Sequence, residues 1–307
     1  MKIIDAHIHI FSEIDGANAN GPVKGCGLGR TINAGICSPF IPPISMETSW
    51  PVELLLECME QNGVSQAVLF QNPTIGSVND EVGQAILQYP DKLTGLVQVD
   101  PFDENAVALA EELIDRYPFA GIKLEVSTGW GWTGIHSDRD FHYSMLKPLV
   151  QVAEKHGLMV AFDTGDTDSA AYLPEELGEL ADQFPNVIFV IEHGGYLTPE
   201  GSLEKWEAMT DNAKKENVYL GICAVPSLME SEYPCTAGNA VLKKLYDKVG
   251  AEKLIWGTDG PCTFKAYTYR QLIDSVARYA DFLDREDLER IFYKNAGKVY
   301  FKAESAG

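Results

Sequence analysis

A chain of 307 residues, 45% of them hydrophobic, can bury a large core, as one domain the size of an α/β barrel or as two ordinary ones. Its 24 lysines and arginines stand against 45 aspartates and glutamates, and the formal charge of −21 repels nucleic acid and anionic membrane surfaces, leaving a small molecule as the expected partner. Six cysteines (Cys26, Cys37, Cys58, Cys223, Cys235 and Cys262) show no C-x-x-C spacing and read as reduced thiols of a cytoplasmic protein, and no apolar run predicts a signal peptide or a membrane span.

The chain opens on Ile3-Ile4-Asp5-Ala6-His7-Ile8-His9-Ile10, a buried strand by its isoleucines. Alternation puts His7 and His9 on one face and Ile8 and Ile10 on the other. Two buried imidazoles need hydrogen-bond partners or a metal, and the pairing in one strand favours a metal over two bonded core histidines. Residues 11–50 are rich in Gly, Asn, Pro and Ser, so they read as one long loop, a lid or a pocket wall. Within it Arg30 is a candidate for a substrate carboxylate, or a solvated loop charge.

From Ser49, a candidate helix cap with Pro51 in the first turn, the pattern becomes regular. Strands are predicted over 64–70, 93–99, 119–126, 158–163, 187–192, 218–223 and 253–257, and the spacing predicts intervening helices over 79–90, 103–117, 141–156, 173–184, 202–216, 238–250 and 268–282, with a last helix near 286–301. With the first strand this makes eight β/α units in one domain over 1–307. Strict alternation argues for a parallel sheet, and eight units argue for closure into a (β/α)₈ TIM barrel. An open doubly wound sheet would want a glycine fingerprint after the first strand, where His-x-His stands instead.

Barrel chemistry collects at the C-terminal strand ends. There the sequence places His7 and His9, then Lys123 and Glu125, Asp163, His193 before two glycines, and Asp259. Asp259 beside two imidazoles completes a cation site, whereas Asp163 reads equally as a ligand or a turn former. His193 is read as catalytic. Lys123 and Glu125 alternate with Ile122 and Leu124, share a face, and are expected to pair at the inner mouth, as a structural ion pair or as substrate-binding groups. Trp130, His136 and Arg139, in the loop after the fourth strand, are further substrate-binding candidates, while His142 and His156 read as capping or surface residues.

The D-A-H-I-H opening, Gly121-Ile122-Lys123-Leu124, Asp163-Thr164-Gly165, His193-Gly194-Gly195, Gly257-Thr258-Asp259 and the closing Tyr293-Lys294-Asn295-Ala296 follow in the order seen in the amidohydrolase superfamily. Nearly the whole chain resembles amidohydrolase family 2, which includes aminocarboxymuconate-semialdehyde decarboxylase and related aromatic-acid decarboxylases. The resemblance implies one divalent metal, usually zinc, on His7, His9, Asp259 and the residue at the Asp163 position, with His193 as acid/base. It also implies a homodimer. Where the family has histidine this chain has Asp163, and Glu125 likewise stands for a histidine. These carboxylates make a harder donor set that admits Mn or Mg beside Zn, or mark a member that works without metal. The expected activity is hydrolysis of a small amide, ester or lactone bearing a carboxylate. The runner-up is non-oxidative decarboxylation on the same residues, and a third reading is a non-catalytic metabolite-binding barrel.

Overall fold

The structure, a computed structural model, describes residues 1–302. The first barrel strand, β1 (Ile4–His9), leads into a small antiparallel sheet of β2 (Asp15–Asn18), β3 (Gly21–Gly27), β4 (Arg30–Asn33) and β5 (Ile36–Pro39). Seven further barrel strands follow: β6 (Gln66–Phe70), β7 (Leu93–Gln98), β8 (Gly121–Glu125), β9 (Met159–Asp163), β10 (Phe189–Ile191), β11 (Val218–Gly221) and β12 (Leu254–Ile255). All eight are parallel, ordered β1-β6-β7-β8-β9-β10-β11-β12, with helices between them, so the expected (β/α)₈ barrel is observed. Predicted and observed strands differ only at their ends. No helix among the described residues is long and apolar enough to cross a membrane.

The longer helices turn an apolar stripe to the barrel. Val52–Asn62 buries Leu55 and Met59 and is stopped by Gly63. Its N-terminal boundary residue is Pro51, with no side-chain cap, so Ser49 does not cap it. Tyr269–Ala277 starts at a capping box formed by Thr268 and Gln271. Two apolar layers result, one between strands and helices and one inside the barrel, where Ile4, Ala6, Val68, Phe70 and Met159 meet.

The stretch 11–50 is the main departure from expectation. Its glycines and asparagines are hairpin punctuation: Leu28-Gly29 and Ala34-Gly35 are two-residue turns with all four residues at positive φ, joining strands of four to seven residues. The strands are too short and too glycine-rich to show alternation.

Between Asp5 and Ile8, β1 advances three residues while β6 advances two, from Ala67 to Leu69. This bulge reverses parity. Ile4 and Ala6 face the interior before it and His7 and His9 after it, leaving Ile8 and Ile10 in the outer layer as alternation predicts. The barrel closes beyond β12, where the Ala6 N–H donates to the Trp256 carbonyl (3.2 Å), the Asp259 N–H to His7 (2.8 Å) and the His9 N–H to Gly260 (2.8 Å). A Cβ on Gly257 would stand 2.8 Å from the His7 nitrogen and 2.9 Å from its Cβ, so this seam requires glycine. Gly257→Ala is expected to lower stability by about 1–3 kcal/mol, the cost of overpacking. An unchanged urea midpoint would show that the seam tolerates the methyl group.

Candidate active site

Two imidazoles and a carboxylate meet where β1 adjoins the segment after β12. His9 Nδ1 lies 3.0 Å from the Phe70 carbonyl, which can only accept, so this nitrogen carries the hydrogen. His9 Nε2 then points at Asp259 Oδ1, 3.1 Å away. His7 repeats the arrangement: Nδ1 donates to Glu192 Oε2 at 3.0 Å, and Nε2 stands 3.6 Å from the same Asp259 oxygen. Burial, with Lys123, His9 and His193 close by, pushes the His7 pKa well down, so its ring is neutral. The arrangement calls for a positive charge, a proton or a metal ion, between the two ring nitrogens and the carboxylate oxygen.

A divalent ion fits that demand. Ligands about 2.0–2.1 Å from a tetrahedral ion are separated by about 3.4 Å, close to the spacings here. His7, His9 and Asp259 offer three donor atoms within 4.8 Å of one another, and each imidazole already donates its other N–H, as metal-bound histidines do. Asp259, in the segment after β12, is held by the turn it starts, with φ of 56°, and by Asp5 behind it. Asp5 accepts from the Thr258 N–H (2.8 Å), its hydroxyl (2.7 Å) and Tyr269 (2.6 Å). Burial raises the Asp5 pKa to about 6 against these bonds.

Below lies a second, fully buried group. His193 Nε2 meets Asp163 Oδ2 at 2.7 Å and its Nδ1 faces Cys223, 3.3 Å from the sulfur. Lys123 Nζ stands 3.4 Å from Glu125, 3.7 Å from Asp163 and 5.3 Å from the centre of the Phe70 ring. Burial opposes the charge on His193, yet Cys223 and Asp163 outweigh it and the pKa rises well above the ordinary value. Since burial drives the Cys223 thiol itself up to about 12, the anion beside the ring is Asp163. Asp163, against the cost of burial, is held far below the usual carboxylate range by His193 and Lys123. Glu125 goes the other way: burial and the neighbouring Asp163 raise it to about 8 although Lys123 opposes them, so it is protonated near neutral pH. Its oxygens accept from Ser127 (2.6 Å) and Asn72 (3.3 Å).

A cavity of about 470 Å³ opens over these groups, a size suited to a small metabolite. His7, His9, Glu125, Trp130, Asp163, His193 and Asp259 line it, as the sequence places them. Five expectations are corrected. Asp163 turns to His193 and Lys123 and stands outside the His7, His9 and Asp259 donor group, because a shorter carboxylate replaces imidazole beside two cations. Lys123 is buried beneath the cavity and, unlike Glu125, does not line it, so it holds carboxylates. Arg30 lies on the outer face of β4 against Cys37. His136 is engaged by Asp100 at 2.7 Å, and Arg139 by the Phe102 carbonyl at 2.9 Å, both away from the cavity.

Other residues of the site, within and beneath the cavity, were not singled out. Glu192 is adjacent to His193, and Cys223 ends the predicted seventh strand, so reading every strand end would have found both. Tyr196, whose ring meets His193 edge-on at 5.3 Å, and the exposed Lys265 carry no local signal. The antiparallel sheet supplies Asn18, Thr31, Asn33 and Ser38 as one wall.

The model of the amidohydrolase family matches residues 4–302. No curated protein matches the chain. Solved structures of low identity share the fold. A probable 2-pyrone-4,6-dicarboxylic acid hydrolase from Acinetobacter baumannii with citric acid bound is 18% identical, with a TM-score of 0.68 over 98% of this chain and 100% of that one. An amidohydrolase from Burkholderia multivorans with bound zinc is 13% identical, with a TM-score of 0.68 over 98% and 99%. The 2,6-dihydroxybenzoate decarboxylase from Rhizobium is 14% identical, with a TM-score of 0.57 over 81% and 87%.

Two measurements probe this geometry. Asp163→Asn should lower the His193 pKa by about 1–3 units in an NMR titration, since the neighbouring anion is lost. The sign for stability follows: a raised histidine pKa contributes fully below about pH 6.5, its unfolded value, and the contribution fades as pH climbs through the folded value. Glu192→Gln should weaken zinc binding about 10–100-fold in competition with a chromogenic chelator, because the acceptor of the His7 N–H loses its charge. Equal affinity would remove Glu192 from the site's support.

Proposed function

The chain belongs to the amidohydrolase family, and from that premise we propose that it is a metal-dependent hydrolase of a small lactone, ester or amide. The observation that carries this reading is the convergence of His7 Nε2 and His9 Nε2 on Asp259 Oδ1. These three residues would hold one divalent ion, zinc by the two-imidazole, one-carboxylate donor set. Such an ion supplies Lewis acidity toward a carbonyl and a lowered pKa for a neighbouring water.

The chain's own residues divide the remaining work. Asp259, its side chain 20% exposed at the cavity floor, accepts the proton of the attacking water. His193, kept charged by Asp163, sets a fixed positive field beside the cavity, where negative charge develops on the substrate oxygen. The Tyr196 ring packs on His193 and lines the same cavity. Glu125, protonated near neutral pH and lining the cavity, donates a proton to the leaving oxygen or nitrogen. Lys265 at the rim faces the substrate's carboxylate, the place the sequence reading gave to Arg30, Lys123 or Arg139.

Asp259→Asn is expected to lower kcat by about 10²–10⁴-fold with an unchanged circular dichroism spectrum. Dialysis against a chelator should abolish hydrolysis across a panel of lactones, esters and amides, and added zinc, manganese or magnesium should restore it. Release of carbon dioxide from hydroxybenzoates, with no hydrolysis of any panel member, would replace this reading by a decarboxylase.

A further inference from the structure

Cys26 and Cys37, on the outer face of the antiparallel sheet, take no part in the site above. Cys37 pairs with Ile32 across β4–β5, whereas its neighbour Ser38 pairs with Thr31, and Ser38 and Thr31 line the cavity. The dithiol therefore sits on the back of the cavity wall. Its two sulfurs are 3.3 Å apart, and both residues are exposed. Arg30 Nε donates to Cys37 Sγ at 3.2 Å, while its Nη2 donates to the Cys37 carbonyl at 3.2 Å, which fixes the guanidinium over that one sulfur. Cys223 and Cys235 are buried, and burial raises the thiol pKa of Cys58 and Cys262.

We propose that Cys26 and Cys37 form a hydroperoxide-reactive dithiol, with Cys37 as the attacking sulfur and Cys26 as the resolving one. The asymmetry comes from Arg30. Its hydrogen bond, and then that of Cys26, lower the Cys37 thiol from its usual value, while the contact with Cys37 raises that of Cys26. The Cys37 thiolate attacks one peroxide oxygen, the O–O bond breaks, and hydroxide leaves to take a proton from solvent. The Cys26 thiol then attacks the sulfenic sulfur, the S–S bond forms, and the displaced hydroxyl departs as water with the Cys26 proton. Two thiols lose two electrons and one hydrogen peroxide becomes two waters. The sulfurs, 3.3 Å apart, must close to about 2.0 Å, and because β4 lies between β3 and β5 the edge strand β5 moves toward β3 as the bond forms. The product ties the edge strand β5 to β3 over β4 and stiffens the wall that carries Thr31, Asn33 and Ser38.

The test is independent of the proposed hydrolase activity. The full chain is treated with a small excess of hydrogen peroxide, alkylated, and digested with trypsin and a glutamate-specific protease, which separate Cys26, Cys37 and Cys58. The expected product is a Cys26–Cys37 linked peptide, with two of the six thiols lost and both recovered by dithiothreitol. Dimedone should trap Cys37 in Cys26→Ser and leave Cys26 unlabelled in Cys37→Ser. Arg30→Met should slow loss of the Cys37 thiol about tenfold. Cys58 oxidising as fast as Cys37, label on Cys26 in place of Cys37, or both thiols remaining free under these conditions would each overturn the proposal.

Discussion

Between Asp5 and Ile8 a single extra residue in β1 reverses which side chains face the barrel interior, and the placement of His7 and His9 follows from that step. Without it the even-numbered parity of Ile4 and Ala6 would continue, Ile8 and Ile10 would fill the mouth, and both imidazoles would be buried against helices. The bulge also requires the closing segment to approach β1 closely, which Gly257 permits, and the same approach delivers Asp259 to the two rings. A backbone irregularity, a glycine and a carboxylate thus depend on one another.

Beneath the mouth, Lys123 and His193 are two buried cations, and Asp163, Glu125 and Glu192 are three buried carboxyl groups. Isolated charges at such depth would be prohibitively costly, and interleaving them reduces the cost without abolishing it. The arrangement assigns the protons: Asp163 lies between the two cations and is ionised, while Glu125, with one cation and a neighbouring anion, keeps its proton. Asp163 therefore sets the electrostatics of the whole floor, and its partner is the neighbouring His193 in place of the His7, His9 and Asp259 group.

The barrel was legible because its strands and helices carry periodic apolar residues, and the site because strand ends can be read from those periods. His7, His9, His193 and Asp259 needed nothing more. The direction taken by Asp163 was not legible, since Lys123 and His193 reach it from strands on either side and sequence spacing carries no information about that competition. Arg30 and Arg139 are candidates by charge alone and His136 by its place in a tryptophan-bearing loop, and each finds a local partner that neither signal predicts. The antiparallel sheet went unseen because glycine and asparagine mark both loops and tight hairpins, and four-residue strands have no room to show alternation.

That sheet has a consequence for how the cavity diversifies. Its pairings join residues close in the chain, from Asn18 with Gly21 to Asn33 with Ile36, so it assembles through local contacts while the barrel depends on distant ones. Hairpins of this sort can be lengthened, shortened or recoloured without altering any barrel strand. The wall that meets the substrate and the floor that holds the charges are therefore separable inheritances: one chain segment of some thirty residues can be rewritten for a new ligand while the chemistry beneath it stays in place.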